Sequence, residues 1–175
     1  MVMSNPHPQE LEAQTLDFSK HVDIAAPLDI TWESVLLELG PESAIGEGKP
    51  MPFVLEAWPG GRWFRDLGND AGHLWGHVQV IKPPALLEIC GPMFMSYAAT
   101  SHVQYRLTAE AEGTRLKVVH TAFGLIPAEH REGMQDVWLP TFAAHCFVRL
   151  GRHFKGGTQK FFVARLKFRL QRPEK

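Results

Sequence analysis

The chain predicts an α+β domain in which a curved seven-stranded antiparallel sheet wraps around a long C-terminal helix. Three observations carry this expectation. The apolar pattern runs strand, helix, six strands, helix, whereas a doubly wound sheet would alternate strands with helices. Residues 128–154 place Trp138, Leu139, Phe142, Ala143, Cys146, Phe147, Leu150 and Phe154 on one broad helical arc. Turn residues (Pro59-Gly60-Gly61, Pro83-Pro84, Glu112-Gly113) separate the alternating runs. Burying a Trp, Phe or Leu side chain contributes roughly 1.5–3 kcal/mol, so the aromatic arc of the last helix has to lie on the sheet. A hollow between the two is expected, because a flat aromatic face cannot follow a curved surface everywhere.

The elements follow in order. Residues 1–14 are polar and Pro-containing, which suits a loose N-terminal arm. Leu16, Phe18, Val22 and Ile24 then alternate with Asp17, Ser19, His21 and Asp23, giving a half-buried strand in which Lys20 is the misfit. Pro27 opens a helix whose Leu28, Trp32, Val35, Leu36 and Leu39 recur at helical spacing, and Gly40-Pro41 ends it. A Gly- and Pro-rich connector with a short helical turn is expected over Pro41–Pro52. The strands MPFVLEAW and RWFRDLG flank the Pro-Gly-Gly turn. A Gly-Gly loop there would set Trp58 opposite Trp63 and Glu56 opposite Arg65, and a bulge at Gly61 would shift that register. In HLWGHVQVIKPP, Leu74, Val78 and Val80 share one parity and His73, Trp75, His77 and Gln79 the other. ALLEIC follows, then a strand with Val103, Tyr105 and Leu107 on one side, then one with Leu116, Val118, His120 and Ala122 on one side. The final helix carries Pro140, which predicts a bend.

A length of 175 residues suits one domain with a real core. Its content of 45% hydrophobic and 21% charged residues excludes a disordered chain. No run reaches transmembrane length and the first residues show no signal pattern, so a cytoplasmic protein is expected. Cys90 and Cys146 lack metal-ligand spacing and read as small buried hydrophobes in a reducing compartment. The net charge of −1 hides an asymmetry: residues 155–175 hold seven Lys or Arg and one Glu, the remainder eleven basic and eighteen acidic residues. The acidic body disfavours nucleic acid.

The PGGRWF turn, the G-x-V-x-x-I-x-P-P segment (Gly76, Val78, Ile81, Pro83, Pro84), the GTRLKVVHTAFG strand and the helix carrying Trp138 resemble the START-like superfamily. This superfamily is also called SRPBCC, or helix-grip. Among its branches the chain looks most like the one named after the activator of the heat-shock-chaperone ATPase (AHSA-like). The match runs from about Leu16 to Phe154 and departs from the branch at Pro140 and in the basic tail. It implies a helix-grip domain over 15–155, with 156–175 as a tail. Superfamily members bind lipids, hormones or polyketides, carry out cyclisation or dehydration, or stimulate a chaperone, so the fold alone does not choose among these functions.

Among the residues themselves, His120 shares parity with Leu116 and Val118 and is the first candidate to orient a ligand or act as a general base. A cavity lined by Phe64, Val78, Tyr105, His120, Trp138 and Phe142 is expected to take a small hydrophobic ligand of lipid or polyketide/aromatic type. The alternatives are a cyclase- or hydrolase-like enzyme using His120 and Tyr105, or a stress-response regulator that binds a chaperone through its outer surface. Trp58, Arg62 and Trp63 suit packing at the cavity rim, and Met93, Phe94, Met95 and Tyr97 an adaptable apolar cluster near its mouth. His73 and His77 share a strand face, but His102 is expected to be cut off from them by the strand at 85–90. No metal centre or cofactor is expected. No phosphate loop, nucleophile elbow or paired-carboxylate motif occurs. In the tail, Ala164, Leu166, Phe168 and Leu170 alternate strictly with Arg165, Lys167 and Arg169. This predicts an added edge strand, in the chain's own sheet or across a homodimer.

Overall fold

The computed structural model describes residues 14–45, 49–93 and 97–128. The long C-terminal helix with Trp138, Pro140, Phe142 and Cys146, the basic tail, the N-terminal arm, Phe94 and Met95 all lie outside the described residues. Within them the order is β1 (Gln14–Ile24), α1 (Leu28–Glu38), β2 (Ala44–Ile45), β3 (Lys49–Pro50), β4 (Val54–Leu55), β5 (Arg62–Gly68), β6 (Ala71–Lys82), β7 (Leu86–Gly91), β8 (Ala99–Glu110) and β9 (Gly113–Gly124). Seven strands form one antiparallel sheet in the order β1-β9-β8-β7-β6-β5-β4, and β2-β3 make a separate ribbon. The α+β class and the seven-stranded antiparallel sheet expected from the sequence are present, and with α1 they match the helix-grip fold.

The sheet has one buried face because its strands alternate. Leu16, Val22 and Ile24 of β1 point the same way as Leu116, Val118 and Ala122 of β9 and Val103, Tyr105 and Leu107 of β8, all at most 6% exposed. We call this the inner face. On its other side Arg115 forks onto Asp23 at 2.7 and 3.1 Å, a solvent-facing pair of little net value.

Helix α1 lays Trp32 and Val35, with its cap residue Leu39, into the same core. Thr31 Oγ1 donates to Pro27 O at 3.0 Å in the first turn. Thr114 Oγ1 donates to Ala26 O at 2.8 Å, tying the β1–α1 corner to β9. The helix stops at the expected Gly40-Pro41. The connector that follows folds back as the β2-β3 ribbon where a helical turn was expected. Main-chain bonds Met51 N to Ser43 O (2.8 Å) and Phe53 N to Gly40 O (2.9 Å) close it.

Three local registers differ from what the sequence alone predicts. Between β4 and β5 the pairs are Leu55↔Trp63 and Val54↔Phe64, with Glu56 N bonded to Arg62 O, so the loop is wider than Gly-Gly. The Glu56 carboxylate accepts from both Arg62 N (2.8 Å) and its guanidinium (2.6 Å), and Trp58 is left 56% exposed. A Cβ on Gly61 would collide with the Glu56 carbonyl. In β6, Trp63↔Gly76 is followed by Phe64↔Leu74, so Trp75 is an extra residue. Its ring turns onto Phe53 (4.5 Å) and Trp63 (5.1 Å), and Leu74 is exposed instead of sharing Val78's face. The second bulge, at Gln79, sets Val80 opposite Glu88 and Ile81 opposite Leu87.

Trp63 fixes the far end of the core, its Nε1 donating to Leu39 O at 2.6 Å. Beside it β6 and β7 approach closely: a Cβ on Gly91 would lie 2.4 Å from Gly76 Cα and 2.5 Å from Trp75 O. Both atoms are backbone and cannot swing away. Gly91→Ala is therefore expected to cost about 1–3 kcal/mol through overpacking, read as a lower urea midpoint. An unchanged midpoint would mean that the strands do not meet there.

Candidate functional site

The registers of β1, β9 and β8 stack the inner face in rows. Leu16, Ala122 and Ser101 form one row, Phe18, His120 and Val103 the next, and Lys20, Val118 and Tyr105 the third. Across these rows run two apolar clusters. One gathers Val22, Leu107, Leu116, Val118 and Tyr105 under α1. The other holds Leu16, Ala122 and Ile126, with Phe18, Tyr97 and Ala99 partly buried against it. His120 sits in the row between the two.

That histidine is fully buried, and so is its partner: Ser101 is 3% exposed and its Oγ lies 3.0 Å from His120 Nε2. The Phe18 ring meets the imidazole edge-on, with centroids 5.3 Å apart and planes at 64°. The chain places the two polar groups together because residues 101 and 120 point to the same face on neighbouring strands, one rung apart on the diagonal. Loss of water at this position pulls the His120 pKa down to about 4, so the ring is neutral at pH 7. A neutral imidazole has one nitrogen that donates and one that accepts, and the Ser101 hydroxyl can pair with Nε2 in either role. The pair can therefore hold a polar atom of a bound molecule, or move a proton, inside an otherwise apolar surface.

The other expected site residues divide. Tyr105 is fully buried between Val118 and Leu87, and Val78 is buried opposite Ile89. Phe64 is half-buried with the Arg62 guanidinium 4.6 Å over its ring, paired across strands with Val54 and Leu74, which are 43% and 46% exposed. Its neighbour Trp63 takes the inner face. Trp138 and Phe142 fall outside the described residues. Met93 is buried and Tyr97 half-buried, its phenol pushed up by burial.

Sequence reasoning did not single out Ser101 and Phe18 as site residues, although both keep the parity of their apolar neighbours. Lys20 also keeps the inner parity between Phe18 and Val22 and is half-buried, which is compatible with a long stem lying on apolar surface. His73 and His77 are exposed on β6, and β7 does separate them from His102, whose Nε2 lies 3.2 Å from Glu88 Oε2. Among the described residues no group of three or more His, Cys, Asp or Glu is arranged to hold a metal ion, and no helix is long and apolar enough to cross a membrane.

No family model and no curated protein matches the chain by sequence. Solved structures do match it by shape. A protein from Rhizobium leguminosarum superposes with a TM-score of 0.63 at 16% identity, over 81% of this chain and 97% of its own. CalU16 from Micromonospora echinospora gives 0.51 at 19% identity, over 78% and 75%. The di-domain ARO/CYC StfQ of the steffimycin biosynthetic pathway gives 0.54 at 16% identity, over 80% of this chain and 50% of its own. At these identities the likeness is one of fold: the chain shares the helix-grip architecture of these proteins.

Proposed function

We propose that this protein binds a small, mostly apolar molecule of lipid or polyketide/aromatic type on the inner face of its sheet, as a carrier or sensor. The observation that carries the reading is the His120–Ser101 pair: two polar side chains wholly buried in an apolar face, between two hydrophobic clusters. Ligand sites of small molecules are mostly apolar with a few placed polar groups, and this face has that composition. A core that served packing alone would be more stable with apolar residues at these positions, because burying an imidazole and a hydroxyl sacrifices their hydration. The fold likeness to StfQ, a protein of a biosynthetic pathway, adds support for a small organic ligand.

A second reading has its own support. StfQ is described as an ARO/CYC, and a neutral imidazole held by a hydroxyl is suited to act as a general base in cyclisation or dehydration. In this reading His120 removes a proton and Tyr105, two strands from Lys20 in the next row, helps place the substrate.

The two readings part on one variant. Replacing His120 by Gln keeps a hydrogen-bonding side chain of similar size. In a carrier, His120→Gln lowers the amount of compound co-purified with the protein, measured by native mass spectrometry, by more than the loss of melting temperature explains. Full retention of the compound at a reduced melting temperature would give the histidine to stability alone. Full retention with unchanged stability but loss of turnover would support the enzyme.

Burial of His120 also sets a pH dependence. Its folded pKa of about 4 lies below the unfolded value near 6.5, so the unfolded chain binds more protons between these values. The stability this contributes is complete above about pH 6.5 and is lost as pH falls toward 4, by on the order of 3 kcal/mol. Wild-type protein should therefore lose more stability than His120→Gln between pH 7 and pH 4 in urea titrations. Equal losses would contradict a buried, neutral ring.

A further inference from the structure

The strand that separates His77 from His102 also fills the space between them. In the register of the sheet, His77 of β6 lies directly opposite Cys90 of β7, and Cys90 directly opposite His102 of β8. All three point to the outer face, since their neighbours Val78, Ile89, Ser101 and Val103 are buried on the inner one. Cys90 is therefore not the buried hydrophobe its sequence context indicates. It is a half-buried free thiol, donating to Gln79 Oε1 at 2.6 Å. Glu88, two residues before it on the same face, accepts from Gln104 at 3.0 Å and faces His102 at 3.2 Å.

We propose that His77, Cys90 and His102 form a surface site for a divalent cation of the zinc class, with water in the fourth position. Two imidazoles and a thiolate are a borderline-soft donor set, which selects zinc-like ions over calcium or magnesium. The spacing suits it. Strands lie about 4.8 Å apart, and an imidazole plus a metal–nitrogen bond of about 2.0–2.1 Å spans one such step. A metal held about 2.3 Å from the central sulfur is thus within reach of a ring from either side. As the side chains stand, Cys90 is turned to Gln79 and His102 to Glu88, so they do not converge on one point. Binding requires the thiol to leave Gln79 and the His102 ring to exchange Glu88 for the metal. Both are rotations of partly exposed side chains and leave the backbone in place. The Glu88 carboxylate then stays beside the site as a negative charge that favours the cation. The proton of the Cys90 thiol goes to solvent as the metal–sulfur bond forms, and no electron is transferred.

The bulge at Gln79 is part of this arrangement. It brings the Gln79 amide onto the Cys90 sulfur and shifts the pairing of β6 with β7 by one residue beyond Val78. Bulges of this kind re-aim side chains next to functional sites.

The test is a Co2+ titration of the full chain under reducing conditions, read as a thiolate-to-cobalt charge-transfer band in the near ultraviolet with visible ligand-field bands. Wild type is expected to saturate at one Co2+ per chain. Cys90→Ser should abolish the charge-transfer band, His77→Ala and His102→Ala should each weaken binding at least about 10-fold, and Cys146→Ser should change nothing. Melting temperatures of the metal-free variants, unchanged from wild type, separate loss of the site from loss of the fold. No charge-transfer band in wild type, a band that survives Cys90→Ser, or one lost in Cys146→Ser would each overturn the proposal.

Discussion

The shared register of β1, β9 and β8 is the constraint on which the inner face depends. Residues pair without interruption from Gln14↔Gly124 to Ile24↔Thr114, and from Ala99↔Gly124 to Glu110↔Gly113. A slip of one residue in β9 would carry Leu116, Val118, His120 and Ala122 to the solvent side together. Those apolar side chains hold the register, and the register in turn keeps an imidazole where it would not go by its own solvation. The polar pair is thus positioned by its greasy neighbours, and its neutral state follows from the same burial.

The other half of the sheet is built differently. Bulges at Trp75 and Gln79 break the ladder, and the small residues Gly76 and Gly91 let the strands close on each other. The first bulge gathers Phe53, Trp63 and Trp75 into an aromatic corner that α1 seals through the Leu39 carbonyl. The second re-aims the outer face around Cys90. One sheet therefore carries a regular half that supports a buried polar pair and an irregular half that packs aromatics inward and presents thiol and imidazole groups outward.

Much of this was legible in the sequence. Alternation located the strands, Gly40-Pro41 the end of α1, and the parity of Leu116, Val118 and His120 put the histidine on the buried face. The parity rule failed in HLWGHVQVIK, because a bulge changes which side a residue faces without leaving a mark in a period-two pattern. The loop at Pro59-Gly60-Gly61 misled for a related reason: the Glu56–Arg62 contact across six residues, which the turn residues do not encode, widens it. Ser101 carried the right parity, yet nothing local ties it to a residue nineteen positions away. Cys90 is the sharpest case. The sequence placed its strand between those of the two histidines, but only the register sets Cys90 directly opposite both.

The central claim is that the inner face around His120 is where a ligand sits. The most direct measurement is the imidazole nitrogen NMR spectrum of the protein as purified, compared with the same sample after its small molecules have been extracted into organic solvent. The His120 resonances should move on extraction while those of the exposed His73 and His77, and of His102 on the outer face, stay in place. An extract that contains a compound, together with a His120 signal that does not move, would contradict the account.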